Sequence, residues 1–452
     1  MVLLFQQVWV PGFFHDGYLY AEMGKNASNG HWLVPHLNSA VYAEFYHHLP
    51  LIFILEGIFF KIFGASFITA RIFAGLFSFI TLAVLMDWVR KEKGEKLAWL
   101  TGMMMTFTLP LIKKSRFPNM DLPLMLFTLV SLRFYFKKSW LLCGVFFGLA
   151  LLTKGPMGLF IPIIIFIHIF LTKNLTLLKS YRPWIGLSLG FLIFALWPFA
   201  LALNGKISIF YSWFDFTFRH TITDARGTET SVFTYFIFLL RNCLPIFIGA
   251  IYSFWYYKKE NLHCSFFLLM GTLFLSYLLL LSIPEFKYSH YLIPLYPAMA
   301  LLAAFGLKNI SEEVEIKIKG IYKGLVILVT LTLLTFPVTT KIRRDPEIYK
   351  LKSLFEQAKQ TPKVWKIIDG IYPYWSLNNL TSWHDLGLVQ QVSLDGMKTI
   401  ADHEIILMSE INWIKVKSEF KGRLIPLYKF SKMKMVVLIT PDMMNKDYLY
   451  KE

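Results

Sequence analysis

Long apolar runs follow one another between residues 67 and 338, separated by short polar loops. Most run to about 18 residues or more, enough for a helix to cross a hydrocarbon core of about 30 Å. They predict spans at 67–89, 95–112, 118–136, 139–152, 156–171, 184–203, 232–254, 265–283, 291–307 and 320–338. Helices apolar on every side belong in lipid or deep inside a large protein, and these are too many for a soluble core. Pro198, Pro245 and Pro337 fall in or near spans, where proline kinks a helix. "MVLLFQQVWV" at the start is too short to span and lacks the marks of a signal peptide. Its expected role is the outer half of a spanning helix that begins upstream. "LPLIFILEGIFFKIFG" (49–64) is apolar but broken by Glu56 and Lys61, so it reads as a helix lying at the membrane surface.

From about residue 341 the hydropathy falls. Asp345 and Pro346 form an N-cap and first-turn pair ahead of a helix. "KVWKIID", "HEIILMS", "RLIPLYKF" and "MKMVVLIT" read as strands. The expected fold is mainly α. A polytopic transmembrane bundle occupies 1–340, with an outer loop at 11–66, and a small extramembrane α/β domain occupies 341–452.

Composition agrees. Charged residues make up 17% of the chain, against about a quarter in soluble proteins. The net charge of +17 does not imply nucleic acid, because most Lys and Arg sit in short loops between spans. Loops 90–96, 137–138, 172–182, 258–261 and 308–320 hold most of them and take the cytoplasmic side. Residues 11–66, 113–117, 153–155, 204–231, 284–290 and those after 340 then lie outside. Cys143, Cys243 and Cys264 show neither metal nor disulfide spacing and read as packing residues.

The outer set gathers the chemistry. The first loop carries His15, Asp16, Glu22, His31, His36, Glu44, His47 and His48. "KKSRFPNMD" ends in Asp121, "FRHTITDARGTE" holds Arg219, His220, Asp224 and Arg226, and "PEFKYSH" holds Lys287, Tyr288 and His290. Ionisable groups at membrane depth are functional candidates by default. Asp16 and Asp121 serve equally as helix N-caps, and Lys113, Lys114 and Arg116 as a site for lipid phosphate.

Six stretches, in order, resemble the GT-C glycosyltransferases of the aminoarabinose-transferase and protein O-mannosyltransferase superfamily, which use polyprenyl-phosphate sugars. They are "FFHDGYLYAEMGKNASNGHWLVPHLNSAVY", "HHLPLIFILEGIFFKIFGASFITARIFAGLFS", "SRFPNMDLPLMLFTL", "GLALLTKGPMGLFIP", "VFTYFIFLLRNCLP" and "KYSHYLIPLYPAMALLAA". The resemblance implies a GT-C bundle with Asp16 as general base and Asp121 as a second acidic site residue. Asp16 is followed by Gly17 where the family has Glu. His47 and His48 stand in "YHHLPL" where it has Glu and Lys. The resemblance therefore leaves the phosphate to His48, if protonated, or to Lys287, with Tyr288, Arg219 and Arg226 as further substrate contacts. His220 occupies the loop that carries a metal-binding histidine in relatives, so a zinc ion on His47 and His220 is chemically compatible.

The expected activity is inverting transfer of a sugar from a polyprenyl phosphate to a glycolipid of the lipid A kind, a polysaccharide or a protein. The expected setting is a bacterial inner membrane, with the site facing the periplasm. A transporter would place charges near the mid-plane and show paired repeats, which this sequence lacks. A non-catalytic scaffold with the same fold is the other alternative; the presence of both Asp16 and Asp121 argues against it.

Overall fold

A computed structural model describes residues 4–5, 8–9, 13, 15–39, 42–222, 231–259, 264–284, 287–308, 364–368, 382–383, 385, 388–391, 405–430 and 435–440. The expected span 320–338 and the Asp345–Pro346 helix start lie outside these residues. The chain forms two compact units. One takes residues 1–11, 27–35 and 46–340; the other takes 12–26, 36–45 and 341–452. Two pieces of the first loop, assigned to the bundle from sequence, thus group with the C-terminal part.

That smaller unit contains most of α1 (His15–Ser28) and a five-stranded sheet. The strands are β1 (Val364–Ile368), β2 (Leu388–Gln391), β3 (Ile405–Ser409), β4 (Ile425–Phe430) and β5 (Met435–Ile439), in the order β2-β1-β3-β5-β4. β1 pairs parallel with β2 and β3, and β5 pairs antiparallel with β3 and β4. The central strands are apolar on both faces, as burial on both sides requires, and Ile406, Met408 and Leu438 pack on Val416 and Phe420. Polar side chains tie the loop pieces in. Asn26 donates to the carbonyls of His36 and Leu37 at 2.9 and 2.8 Å, and Asn38 donates to Ser382 Oγ at 2.6 Å.

The bundle unit runs through α2 (Leu51–Phe63), α3 (Phe67–Lys93), α4 (Glu95–Thr106), α5 (Leu109–Lys114), α6 (Asp121–Phe136), α7 (Trp140–Lys154), α8 (Phe160–Leu171), α9 (Thr176–Lys179), α10 (Tyr181–Leu203), α11 (Ile207–Ile222), α12 (Thr234–Lys259), α13 (Ser265–Ser282) and α14 (Tyr296–Lys308). Six described helical stretches are long and apolar enough to cross a membrane. This is an integral membrane protein of mainly α fold. α6 and α14 form its core; most of α6 and every residue from Ala298 to Ala304 are buried. The loop expected at 204–231 is helical as far as Ile222. On α2, Lys61 is exposed as a surface helix requires, but Glu56 is fully buried. Burial pushes its carboxyl well above the usual range.

α7 and α8 are two passes joined by a 3-10 turn, Gly155–Leu159. Trp140, which opens α7, packs edge-on against Tyr135 near the end of α6. His168, near the end of α8, accepts or donates at 2.7 Å with the same tyrosine's hydroxyl. The chain therefore returns to the level it left. α7 also meets α10 backbone to backbone. A Cβ on Gly144 would stand 2.1 Å from the Gly186 carbonyl oxygen, and one on Gly148 would stand 2.9 Å from that of Gly190. Two small-xxx-small pairs thus set the helix spacing.

Candidate functional site

Asp121 is the first residue of α6, and it does not cap that helix. Asn119 does so: its Oδ1 accepts from the amides of Asp121 and Leu122, both at 3.1 Å. The asparagine is itself fixed, because its Nδ2 donates to the carbonyls of Lys114 and Phe117 at 3.1 and 2.6 Å. The capping role weighed for Asp121 therefore falls to Asn119, and the Asp121 carboxylate is left for other work near the positive end of the α6 dipole.

That work is an ion pair. Lys154 Nζ lies 2.5 Å from Asp121 Oδ1, with the side chains 16% and 4% exposed. His290 Nε2 stands 4.0 Å from the other carboxylate oxygen. The ammonium also lies over the Tyr291 ring, 4.2 Å from its centroid, where the ring quadrupole attracts a cation. Sequence reading placed Lys154 in an outer loop without giving it a role. The signal was there: a lone lysine ending an apolar run, followed by Gly-Pro.

Local chain geometry explains that motif. Gly155 has φ +45°, a left-handed backbone, and a Cβ on it would stand 2.7 Å from the Trp213 ring. Pro156 then sits in the first turn of the 3-10 segment, where its missing N–H costs nothing. The reversal holds Lys154 at the end of α7, beside the start of α6.

His48 joins this group. Burial, the Lys154 ammonium and His47 push its imidazole down to about 3, against the opposing pull of Asp121. At neutral pH it carries no charge, and the cation beside Asp121 is Lys154. His47 stacks on Phe216 of α11 at 4.1 Å. Tyr288 stacks on His290 at 5.4 Å, and Lys287 donates to the Pro284 carbonyl at 2.6 Å. Arg116 is fully buried, and burial lowers its guanidinium only to about 10, so it remains charged.

Other expected residues stand apart. Arg219 is exposed and pairs with Asp215 one turn earlier at 2.8 Å. The side chain of His220, like Asp224 and Arg226, lies outside the described residues. Asp16 is the second residue of α1, inside its first turn rather than at the cap position, and belongs to the smaller unit. In that unit Glu22 is buried, and burial raises its carboxyl to about 7 despite Lys25 Nζ at 3.6 Å. Lys25 also reaches Asp385 at 2.8 Å.

The chain is similar to known proteins in sequence and in fold. Residues 47–198 match the dolichyl-phosphate-mannose-protein mannosyltransferase family. An uncharacterized protein of Aquifex aeolicus (strain VF5) is 25% identical over 322 residues, covering 68% of this chain and 61% of that one. The undecaprenyl phosphate-alpha-4-amino-4-deoxy-L-arabinose arabinosyl transferase of Enterobacter sp. (strain 638) is 24% identical over 343 residues, covering 70% of this chain and 59% of that one. The chain thus spans about three fifths of the length of the curated relatives it matches. The crystal structure of ArnT from Cupriavidus metallidurans bound to undecaprenyl phosphate superposes with a TM-score of 0.71 at 16% identity, covering 94% of this chain and 93% of that one.

Proposed function

Because this chain belongs to the GT-C superfamily of membrane glycosyltransferases, we propose that it is an inverting transferase that moves a sugar from a polyprenyl phosphate to a hydroxyl or phosphate acceptor. The observation that carries this reading is the buried Asp121–Lys154 pair beside His48 and His290. A buried ion pair is rarely a gain in stability, so its presence in an apolar bundle points to chemistry.

The donor's phosphate leaves as an anion and needs a fixed cation. In this mechanism Lys154 supplies it, oriented by Asp121 and the face of Tyr291, with Lys287 as a second cation. Neutral His48 offers a hydrogen bond rather than a charge. Asp16 is the general base that takes the acceptor's proton, a contribution of about 10²–10⁴-fold. Attack by the acceptor with no enzyme nucleophile inverts the anomeric carbon. The apolar wall of the bundle holds the prenyl chain. The undecaprenyl phosphate bound to ArnT supports this donor class. The arabinosyl transferase relatives, named for an undecaprenyl-phosphate sugar, support the same donor class, and the acceptor is a glycolipid of the lipid A kind, a polysaccharide or a protein. Loop charge supports a site on the periplasmic face of a bacterial inner membrane.

A divalent metal enters only as a two-imidazole proposal. Phe216 and position 220 are one turn apart on α11, and His47 stacks on Phe216, so it lies on that helix face. Zinc held by His47 and His220 would polarise a phosphoryl oxygen. Among the described residues no group of three or more His, Cys, Asp or Glu gathers around one point. Metal analysis of the dialysed chain and of His47→Ala tests the pair directly.

The deciding experiment is transfer by the purified chain from radiolabelled polyprenyl-phosphate sugars to an envelope glycolipid extract, with the product's anomeric configuration read by NMR. Inverted product is expected. Retention of configuration, or no transfer from any polyprenyl donor, would refute the proposal.

A further inference from the structure

At the Trp140 end of α7 lies a feature that the chemistry above does not use. A groove of about 130 Å³ runs between α7, α8 and α10. Its walls are apolar, formed by Phe147, Ile161, Ile165, Ile169, Trp184 and Leu187 among others. The glycine contacts explain why it stays open. α7 and α10 meet through Gly144 and Gly186, where a Cβ on either would run into the other helix's backbone, and both glycines line the groove, so the close pair forms its floor while the larger side chains form its walls. The surroundings face lipid: Phe166 and Phe170 on α8 and Trp184 and Ile185 on α10 are exposed apolar side chains, and α10 is long enough to span a membrane.

The rim is cationic. Lys173, Lys179 and Arg182 are all exposed on the segment that joins α8 to α10. No Asp or Glu occurs from Gly155 to Phe214, so nothing nearby in sequence neutralises them. Tyr181 and Trp184 stand at the same level, as aromatic residues do at a membrane–water boundary. Trp184 Nε1 donates to the Leu178 carbonyl at 3.0 Å, and both residues line the groove, so rim and wall are tied together.

We infer that this groove binds an anionic membrane phospholipid, with one acyl chain lying along Phe147 and Ile165 and its phosphate held at Lys179 and Arg182. A free anion would have no use for the apolar walls, and a zwitterionic lipid would have less use for the cationic rim. The site is separate from the proposed donor site. Trp140 and Lys154 sit at opposite ends of α7, about 21 Å apart at 1.5 Å per residue.

Native mass spectrometry of the full chain in detergent tests this, titrating phosphatidylglycerol and phosphatidylcholine of identical acyl chains. Phosphatidylglycerol should be retained about tenfold better, in keeping with the attraction of surface cations for anionic lipid. The double variant Lys179→Gln, Arg182→Gln should lose that preference, and Ile165→Trp, which fills the groove, should lower retention of both lipids. Should Ile165→Trp not fold, the rim variant still decides, because its two positions are exposed. Equal retention of the two lipids, or a rim variant that keeps the preference, overturns the inference. Displacement of phosphatidylglycerol by equimolar undecaprenyl phosphate would assign the groove to the donor, and competition by inorganic phosphate would assign it to a soluble anion; either result also overturns it.

Discussion

Replacing Lys154 with Met keeps the length of the stem and removes the charge. At 2.5 Å and an effective dielectric of about 20, the two charges attract by about 7 kcal/mol. Most of that is offset by the cost of taking both out of water. The deciding quantity is what remains when one partner is lost. Asp121 is 4% exposed and cannot rehydrate in place, so Lys154→Met should destabilise the bundle by about 3–5 kcal/mol. The double variant Asp121→Asn, Lys154→Met removes both charges of the pair and should recover most of that loss. Activity should not follow stability. Both variants lack the cation for the leaving phosphate, so turnover per folded molecule should fall by about 10²–10³-fold in each. Thermal unfolding in detergent gives the first quantity, and radiolabel transfer normalised to folded protein gives the second. An unchanged unfolding temperature in Lys154→Met would deny the pair its buried character. Lost stability with normal turnover would make Lys154 structural and move the phosphate site elsewhere.

Asp16→Asn keeps side-chain size and should leave folding and donor binding intact while turnover falls by about 10²-fold; near-normal transfer would end the general-base assignment. His48 is held near 3 in the fold against an ordinary 6.5, so its neutral form stabilises the native state above about 6.5 and that contribution drains away as pH falls toward 3. His48→Asn should flatten the unfolding temperature over that window, and an unaltered acid slope would contradict the burial. Glu22 has the opposite sign: raised from 4.5 to about 7, it favours the fold below 4.5 and loses that contribution as pH climbs through 7. Hydrogen exchange in α1 should therefore quicken between pH 5 and 8 beyond the intrinsic rate, and Glu22→Gln should abolish the excess. Cysteines introduced at Glu92 and Gln360 report sidedness: impermeant label should reach the second from outside intact cells and not the first.

The bundle was legible because hydropathy and loop charge are additive along the chain. The 139–152 run is short, yet it forms α7, and all four named strand stretches coincide with strands, β1, β3, β4 and β5. β2 was missed because "LVQQ" has no alternation to mark it. Asp121 was found as a carboxylate at a span's outer start, but its freedom from capping was not visible, since that depends on Asn119 turning back on the amides of α6. Lys154 was missed because its partner lies 33 positions away, a separation that periodicity does not encode. Whether His48 is protonated was not legible, because that depends on burial and on Lys154 beside it, neither of which is local in sequence. Glu56 interrupts the 49–64 run in the sequence, but its inward turn was not legible there for the same reason.

The backbone contact between α7 and α10 also determines where this chain tolerates length change. Nine residues of continuous helix separate Gly144 from Lys154, and one end is locked to Gly186 by close approach. Inserting or deleting a single residue in that interval would swing Lys154 around the helix axis by about 100° and shift it by about 1.5 Å. No rotamer of a lysine would then reach Asp121 without unlocking the glycines. The joining segment at 172–180 has no such constraint, because a loop absorbs an added residue at little entropic cost. Among homologous chains, gaps should therefore be absent from 145–153 and frequent in 172–180, a pattern that arises from helix phase rather than from the chemistry of any side chain within the interval.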